Sequence, residues 1–367
     1  MRKGRIILGF AGILGLTAAA CNGLFLGGLG GSSTAPAAFL PTDVTLDISE
    51  LPDSDTAGAK VINSAAAITG TVAYDRTLRA SGAILHAFHR VARKSLALGA
   101  VVRDDFTSPD QTQVSGKFMA DGQEVSYRAD FAAFDFDGDG QADGSGSAGV
   151  EPVAMRMWVD RGNGFERFLA ALVTVRPTTA NLGVGEMVFK PGAARAASFQ
   201  DLQVRMMWNR TDPAHKWNEA FVSGQIRQAY SMSTGHQRVD VRTMADGSIE
   251  KTVRSTSNFT ASPAGFDTYS FWSHYRRGSG VVLMSGQSTG GTAQVGFDNI
   301  CVSLTDFSLD TTGGCDNLDT SDNTFLDTPT GNETDFPADF PATPTFTPTT
   351  TATTTTTVTP VSTQSSP

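Results

Sequence analysis

Between Thr112 and Leu304 apolar residues recur at every second position, in short runs closed by turn residues, and no other feature constrains the fold as much. Val153, Met155, Met157 and Val159 alternate with Ala154, Arg156 and Trp158. Val204, Met206 and Trp208 alternate with Gln203, Arg205 and Met207, and Val239 and Val241 with Arg238, Asp240 and Arg242. A period of two puts alternate side chains on opposite faces, so these runs are half-buried strands. Asp121-Gly122, residues 160–164 and Asp246-Gly247 read as the hairpin turns between them. Pro152, Pro177, Pro191, Pro213 and Pro263 fall at gaps, where a missing N–H breaks no ladder bond. The turn spacing predicts roughly ten antiparallel strands. Strands and helices do not alternate, which argues against a parallel sheet.

One helix precedes this region. On a 100° wheel Ile84, Leu85, Phe88, Val91, Ala92, Leu96 and Leu98 share one half, and His86, His89, Arg90, Arg93 and Lys94 the other. The expected architecture is mainly β: an antiparallel curved sheet or half-barrel with one N-terminal amphipathic helix. Both faces of the 153–159 run carry large apolar groups, which favours a curved sheet cradling the helix over a two-sheet sandwich. That plan is similar to half-barrel lipoproteins that carry lipids, in architecture alone.

The first 20 residues read as an export signal. Arg2, Lys3 and Arg5 form a basic start, residues 6–16 an apolar stretch too short to span a bilayer, and Thr17-Ala18-Ala19-Ala20 a small-residue cleavage site. Cys21 follows directly. The arrangement resembles the lipobox of bacterial lipoproteins, with Ala18 where that family usually has Leu. The resemblance implies cleavage before Cys21, a diacylated Cys21 as new N-terminus, and attachment of an exported protein to a membrane. Asn22 after the cysteine implies the outer membrane or cell surface. With Cys21 assigned to the anchor, Cys301 and Cys315 remain as an even pair, which predicts a disulfide in an oxidising compartment.

Charge narrows the partners. The chain has 28 Lys and Arg against 37 Asp and Glu, a net charge of −9, and no basic residue follows Arg277. That balance argues against nucleic acid as a partner, because phosphate binding needs a basic surface. The organisation reads as a signal peptide (1–20), a Gly/Ser/Ala/Pro-rich flexible tether (21–59), a β-rich domain with the helix (60–304), an acidic irregular segment (305–342) and a Thr/Pro-rich disordered tail (343–367).

The sharpest chemical motif runs from Asp135 to Asp143. Asp135, Asp137, Asp139 and Asp143 place carboxylates at loop positions 1, 3, 5 and 9, Gly140 takes position 6, and Gln141 offers its carbonyl at 7. Alternate oxygens around a Gly turn suit Ca²⁺, which takes six to eight of them. The run resembles the D-x-D-x-D-G loop of EF-hands, which implies a calcium site. Position 12 is Gly146 rather than Glu, so the implied role is structural and the affinity weak. Residues 286–290 fit G-x-S-x-G, but no His follows and another strand comes next, so they are expected to form a turn rather than a hydrolase elbow. All methionines besides Met1 lie between Met119 and Met284, which suits an irregular core or a pocket for apolar ligands. These features point to a non-catalytic binding or structural protein of the cell envelope. The alternatives are a carrier of a lipid or other apolar small molecule, and a hydrolase with an unrecognised site.

Overall fold

The computed structural model describes residues 113–120, 122–131, 153–175, 183–194, 201–227, 230–261, 268–290, 293–305, 308–329, 332–338 and 340–344. Twelve strands form one antiparallel sheet: β1 (Gln113–Ala120), β2 (Gln123–Phe131), β3 (Val153–Asp160), β4 (Phe165–Val175), β5 (Val184–Phe189), β6 (Gln203–Asn209), β7 (His215–Arg227), β8 (Tyr230–Thr243), β9 (Ile249–Ala261), β10 (Thr268–Arg276), β11 (Val281–Gly290) and β12 (Ala293–Ser303). A one-turn helix, α1 (Pro191–Ala194), follows β5. Each strand pairs with its neighbour in sequence, so the order runs from β1 to β12 without a crossover. The sheet is open: among the described residues β1 and β12 do not meet.

This is the antiparallel sheet the alternation predicts, with twelve strands where the turn spacing gives ten. The expected turns at 160–164 and 246–247 are present, and Asp121 of the third lies outside the described residues. Asp160 accepts from the backbone N–H groups of Gly162 and Gly164 at 2.6 and 2.9 Å, closing the β3–β4 turn, and both glycines have the positive φ that such a turn needs. Asp246 does the same for Ser248 between β8 and β9. One expectation is corrected. Residues 286–290 lie inside β11, paired with β10 and β12, and form no turn. A register shift between Met284 and Gly286 interrupts the pairing of β11 with β12.

The two faces differ. One carries a continuous apolar cluster over β1–β7, including Tyr127, Met155, Met157, Phe168, Met187, Phe189, Met206 and Trp208. A second cluster, with Val239, Val253, Phe271, Tyr275, Val282 and Met284, continues it over β8–β12. The methionines here are core residues, at most 1% exposed. Gly185 of β5 has no side chain because Trp208 fills the place. A Cβ there would lie 2.7 Å from the indole.

The opposite face is charged, and the described residues of the segment, 308–329, 332–338 and 340–344, cross it as a strap. Past β12 the chain is fastened by the Cys301–Cys315 disulfide and by the Asp310 N–H bonding the Cys301 carbonyl. It then runs back over the sheet, touching β10 at His274, β9 at Thr256, β8 at His236, β7 at Ser223 and β3 at Trp158. Phe336 and Phe340 finish it on Ala154, Trp158 and Ala170. The segment expected to be irregular has little regular structure, a 3-10 turn at Thr320–Asp322 apart, yet it follows a definite path. The predicted helix over 84–98 lies outside the described residues.

Candidate functional site

The densest polar chemistry lies where the strap crosses β7–β10. Strand alternation puts Glu219, His236, Arg238, Asp240, Arg242, Glu250, Arg254, His274 and Arg276 on the strap face. Pairing register then brings opposite charges together across strands, with Glu219 opposite Arg238 and Glu250 opposite both Arg242 and Arg276.

Three histidines each meet a carboxylate. His236 Nε2 lies 2.6 Å from Glu219, His215 Nε2 2.9 Å from Asp240, and His274 Nε2 2.9 Å from Glu250. Asp240, 2% exposed, also accepts from Arg238 and Arg254 at 3.0 and 3.1 Å. Arg238 spans Asp240 and Glu219 while its guanidinium lies over the Trp217 ring, 4.7 Å from the centroid. Glu250 accepts from Arg276 at 2.8 Å and from the strap N–H of Asp319 at 3.2 Å. Arg242 reaches Asp319 and Asp322 of the strap.

These partners fix the charge states. Burial pushes the Glu219, Asp240 and Glu250 carboxyls up. For Glu219, the hydrogen bond and charge of His236 outweigh burial; for Asp240, Arg238 does; for Glu250, Arg276 and the Asp319 N–H do. All three titrate below the ordinary carboxylate value. Burial lowers Arg238, but Asp240 and Glu219 raise it on balance. The chemistry is therefore that of ionised carboxylates saturated with donors. Such a cluster acts as a clamp, gripping the strap through its N–H, C=O and carboxylate groups.

On the core face, the same strands hold buried polar atoms with no hydrogen-bond partner: Asn218 Oδ1, Gln237 Oε1, Ser257 Oγ and Ser273 Oγ. They sit on β7, β8, β9 and β10, next to the apolar cluster.

Of the residues singled out from sequence, Cys301 and Cys315 are joined, with Cα atoms 6.1 Å apart. Cys21 and the loop residues Asp135, Asp137, Asp139, Gln141 and Asp143 lie outside the described residues, as do His86 and His89. Among the described residues no group of three or more His, Cys, Asp or Glu is arranged to hold a metal. The clamp itself was not visible as a unit in sequence. Each histidine lies 17 to 25 positions from its carboxylate, and only the register pairs them. The alternating Arg238, Asp240, Arg242 was the available signal, since such a run on one face of a strand asks for opposite charges on the next. Comparison with protein families, with curated proteins and with solved structures gives no match for this chain.

Proposed function

We propose that this protein is an exported lipoprotein, held to the outer membrane or cell surface through Cys21, whose β domain acts without catalysis as a binding or structural module of the cell envelope. The observation that carries the non-catalytic reading is the engagement of His215, His236 and His274, each bound to a carboxylate that also holds an arginine. A general base needs a free lone pair set against a nucleophile or a water; His236 and His274 have both ring nitrogens engaged, and His215, bonded through Nε2 alone, has no nucleophilic side chain bonded to it among the described residues. Calcium at Asp135, Asp137, Asp139, Gln141 and Asp143 stabilises the domain in this reading. Intact mass of protein extracted from membranes tests the anchor. The expected result is a chain beginning at an acylated Cys21, released to the soluble fraction by Cys21→Ala. An unmodified Cys21 overturns it. Millimolar Ca²⁺ is expected to raise the melting temperature and chelator to reverse this, with no response once Asp137 and Asp139 are both changed to Asn.

A second reading, carriage of a lipid or similar apolar molecule, draws support from the core face, where methionine-rich apolar surface adjoins the partnerless polar atoms of Asn218, Gln237, Ser257 and Ser273. An amphipathic ligand presents that same pairing of apolar chain and polar end. Native mass spectrometry of protein purified from its own envelope separates the two readings: a bound lipid favours the carrier, a bare chain the structural module.

A further inference from the structure

The strap is held at its centre by a ring with two acceptors and at most two protons. His236 Nε2 faces the Glu219 carboxylate at 2.6 Å, and Nδ1 faces the backbone carbonyl of Asp327 in the strap at 3.2 Å. Both partners are acceptors only, since a carbonyl cannot turn to donate. Both contacts are therefore hydrogen bonds only when the ring is an imidazolium. We infer that His236 is a proton-dependent latch, which fastens the strap to β8 when protonated and releases it on losing one proton.

The direction follows from the competition for the single remaining proton. Glu219 is ionised, close and charged, and Arg238 holds it in place at 3.3 Å, so the N–H stays on Nε2. The lone pair left on Nδ1 then faces the Asp327 oxygen, and the strap bond becomes a repulsion. The other neighbours do not replace it. Phe221 of β7 stacks on the ring at 4.3 Å and has no polar atom, and Thr256 of β9 donates to the next strap carbonyl, Leu326, at 2.9 Å. Asp240 faces Glu219 from β8, and its charge raises the Glu219 carboxyl.

The other two histidines are built differently and supply controls. His274 also bridges a carboxylate, Glu250, and the strap, but its strap partner is the Asn323 side chain at 2.9 Å. An amide can present either its oxygen or its NH₂, so His274 keeps both bonds in the neutral form. Arg276 and the Asp319 N–H, which also bond Glu250, remain in either state. His215 bonds Asp240 and makes no bond to the strap among the described residues. Of three histidine–carboxylate pairs, one couples strap docking to protons. The latch needs neither the anchor nor the ligand proposed above.

Hydrogen exchange of the full chain at about pH 5.5 and about pH 8.5, corrected for intrinsic exchange, tests this over residues 324–329. Wild type is expected to show roughly tenfold greater protection at the lower pH, the worth of one charge-assisted hydrogen bond. His236→Gln, whose amide keeps the same donor and acceptor groups at every pH, should abolish the difference, and His274→Gln should keep it. Equal protection at both values in wild type, or a difference that survives His236→Gln, overturns the latch. Should His236→Gln not fold, nitrogen-15 shifts of His236 in wild type decide instead. Nδ1 must be the nitrogen that loses its proton, and loss from Nε2 first refutes the mechanism.

Discussion

Across β1–β6 the core face is filled by Tyr127, Met155, Met157, Phe168, Met187, Phe189, Met206 and Trp208, and among the described residues of these strands no buried polar side chain shares it. Across β7–β10 the same face carries Asn218, Gln237, Lys251, Ser255, Ser257 and Ser273 between its valines and aromatics, all buried. The strap contacts are distributed the other way. Its ion pairs and most of its hydrogen bonds fall on β7–β10, while β3 and β4 receive an aromatic plug, Phe336 and Phe340. The first half of the sheet is held by apolar burial, on its core face and under the plug. The second has a poorer core and is clamped from the other side by charge, strap and disulfide. A sheet whose core face weakens along its length needs a second layer where it weakens, and the acidic C-terminal segment provides one.

The largest expected effect is in the apolar half. Trp208 is 0% exposed and packs over Gly185, so Trp208→Ala leaves a hole the surrounding strands cannot close. It should cost about 3 to 5 kcal/mol in denaturant unfolding. A loss below about 1 kcal/mol would mean that hydrocarbon packing does not distinguish this half.

In the clamped half the counterpart is Asp240→Asn, which removes the charge that Arg238, Arg254 and His215 share. Breaking a buried pair from one side leaves its partners uncompensated, and about 3 kcal/mol is expected. The pH dependence has a definite sign. Glu219, Asp240 and Glu250 titrate lower in the folded chain than in the unfolded one, so their contribution is complete above the ordinary carboxylate value and disappears as pH falls through their folded values. Acid titration of the melting temperature should show this loss in wild type and a shallower one in Asp240→Asn. Equal slopes would remove Asp240 from the clamp.

The two halves were not equally legible in sequence. Period two exposes strands whichever half they belong to, and Val239-Asp240-Val241 reads as plainly as Met155-Arg156-Met157. What alternation cannot supply is the environment of the second face. Arg238, Asp240 and Arg242 look like a solvated surface until the strap is laid over them. The strap itself hides because residues 308–344 hold little apolar sequence and no period, and their bonds are made largely by main-chain atoms, Asp327 and Leu326 among them, which leave no residue signature. Parity pairs Cys301 with Cys315 correctly, because two cysteines left in an oxidised chain have one partner each. It does not reveal that this disulfide starts the strap.

That position makes the disulfide the next test. Its partners are 14 residues apart, and closing such a loop is worth about 3 kcal/mol in the chain-entropy model. Peptide mapping without reductant should recover the two cysteines as one linked species. Changing both to Ala should lower stability by up to about that amount and raise exchange in the strap, leaving β1–β6 protected. Uniform loosening of the whole sheet would erase the distinction between the halves.

The smallest effect is the most discriminating for the core of the clamped half. Ser257 and Ser273 are 0% exposed and their hydroxyls have no partner, so each withholds a polar atom from water without return. Replacing either by Ala removes that penalty along with one small atom, and the expected change is neutral to about 1 kcal/mol stabilising. Ser285 is the control, as it is equally buried but bonded. Its hydroxyl donates to Asp298 at 2.6 Å and accepts the N–H of Asn299 at 2.8 Å, where Asn299 takes a positive φ of 48° at the β11–β12 irregularity. Ser285→Ala should cost about 1 to 2 kcal/mol by leaving those groups unsatisfied. If Ser257→Ala and Ser273→Ala are as costly as Ser285→Ala, their hydroxyls are bonded in solution to water or a ligand, and the polar positions of the second half are binding groups rather than defects in its packing.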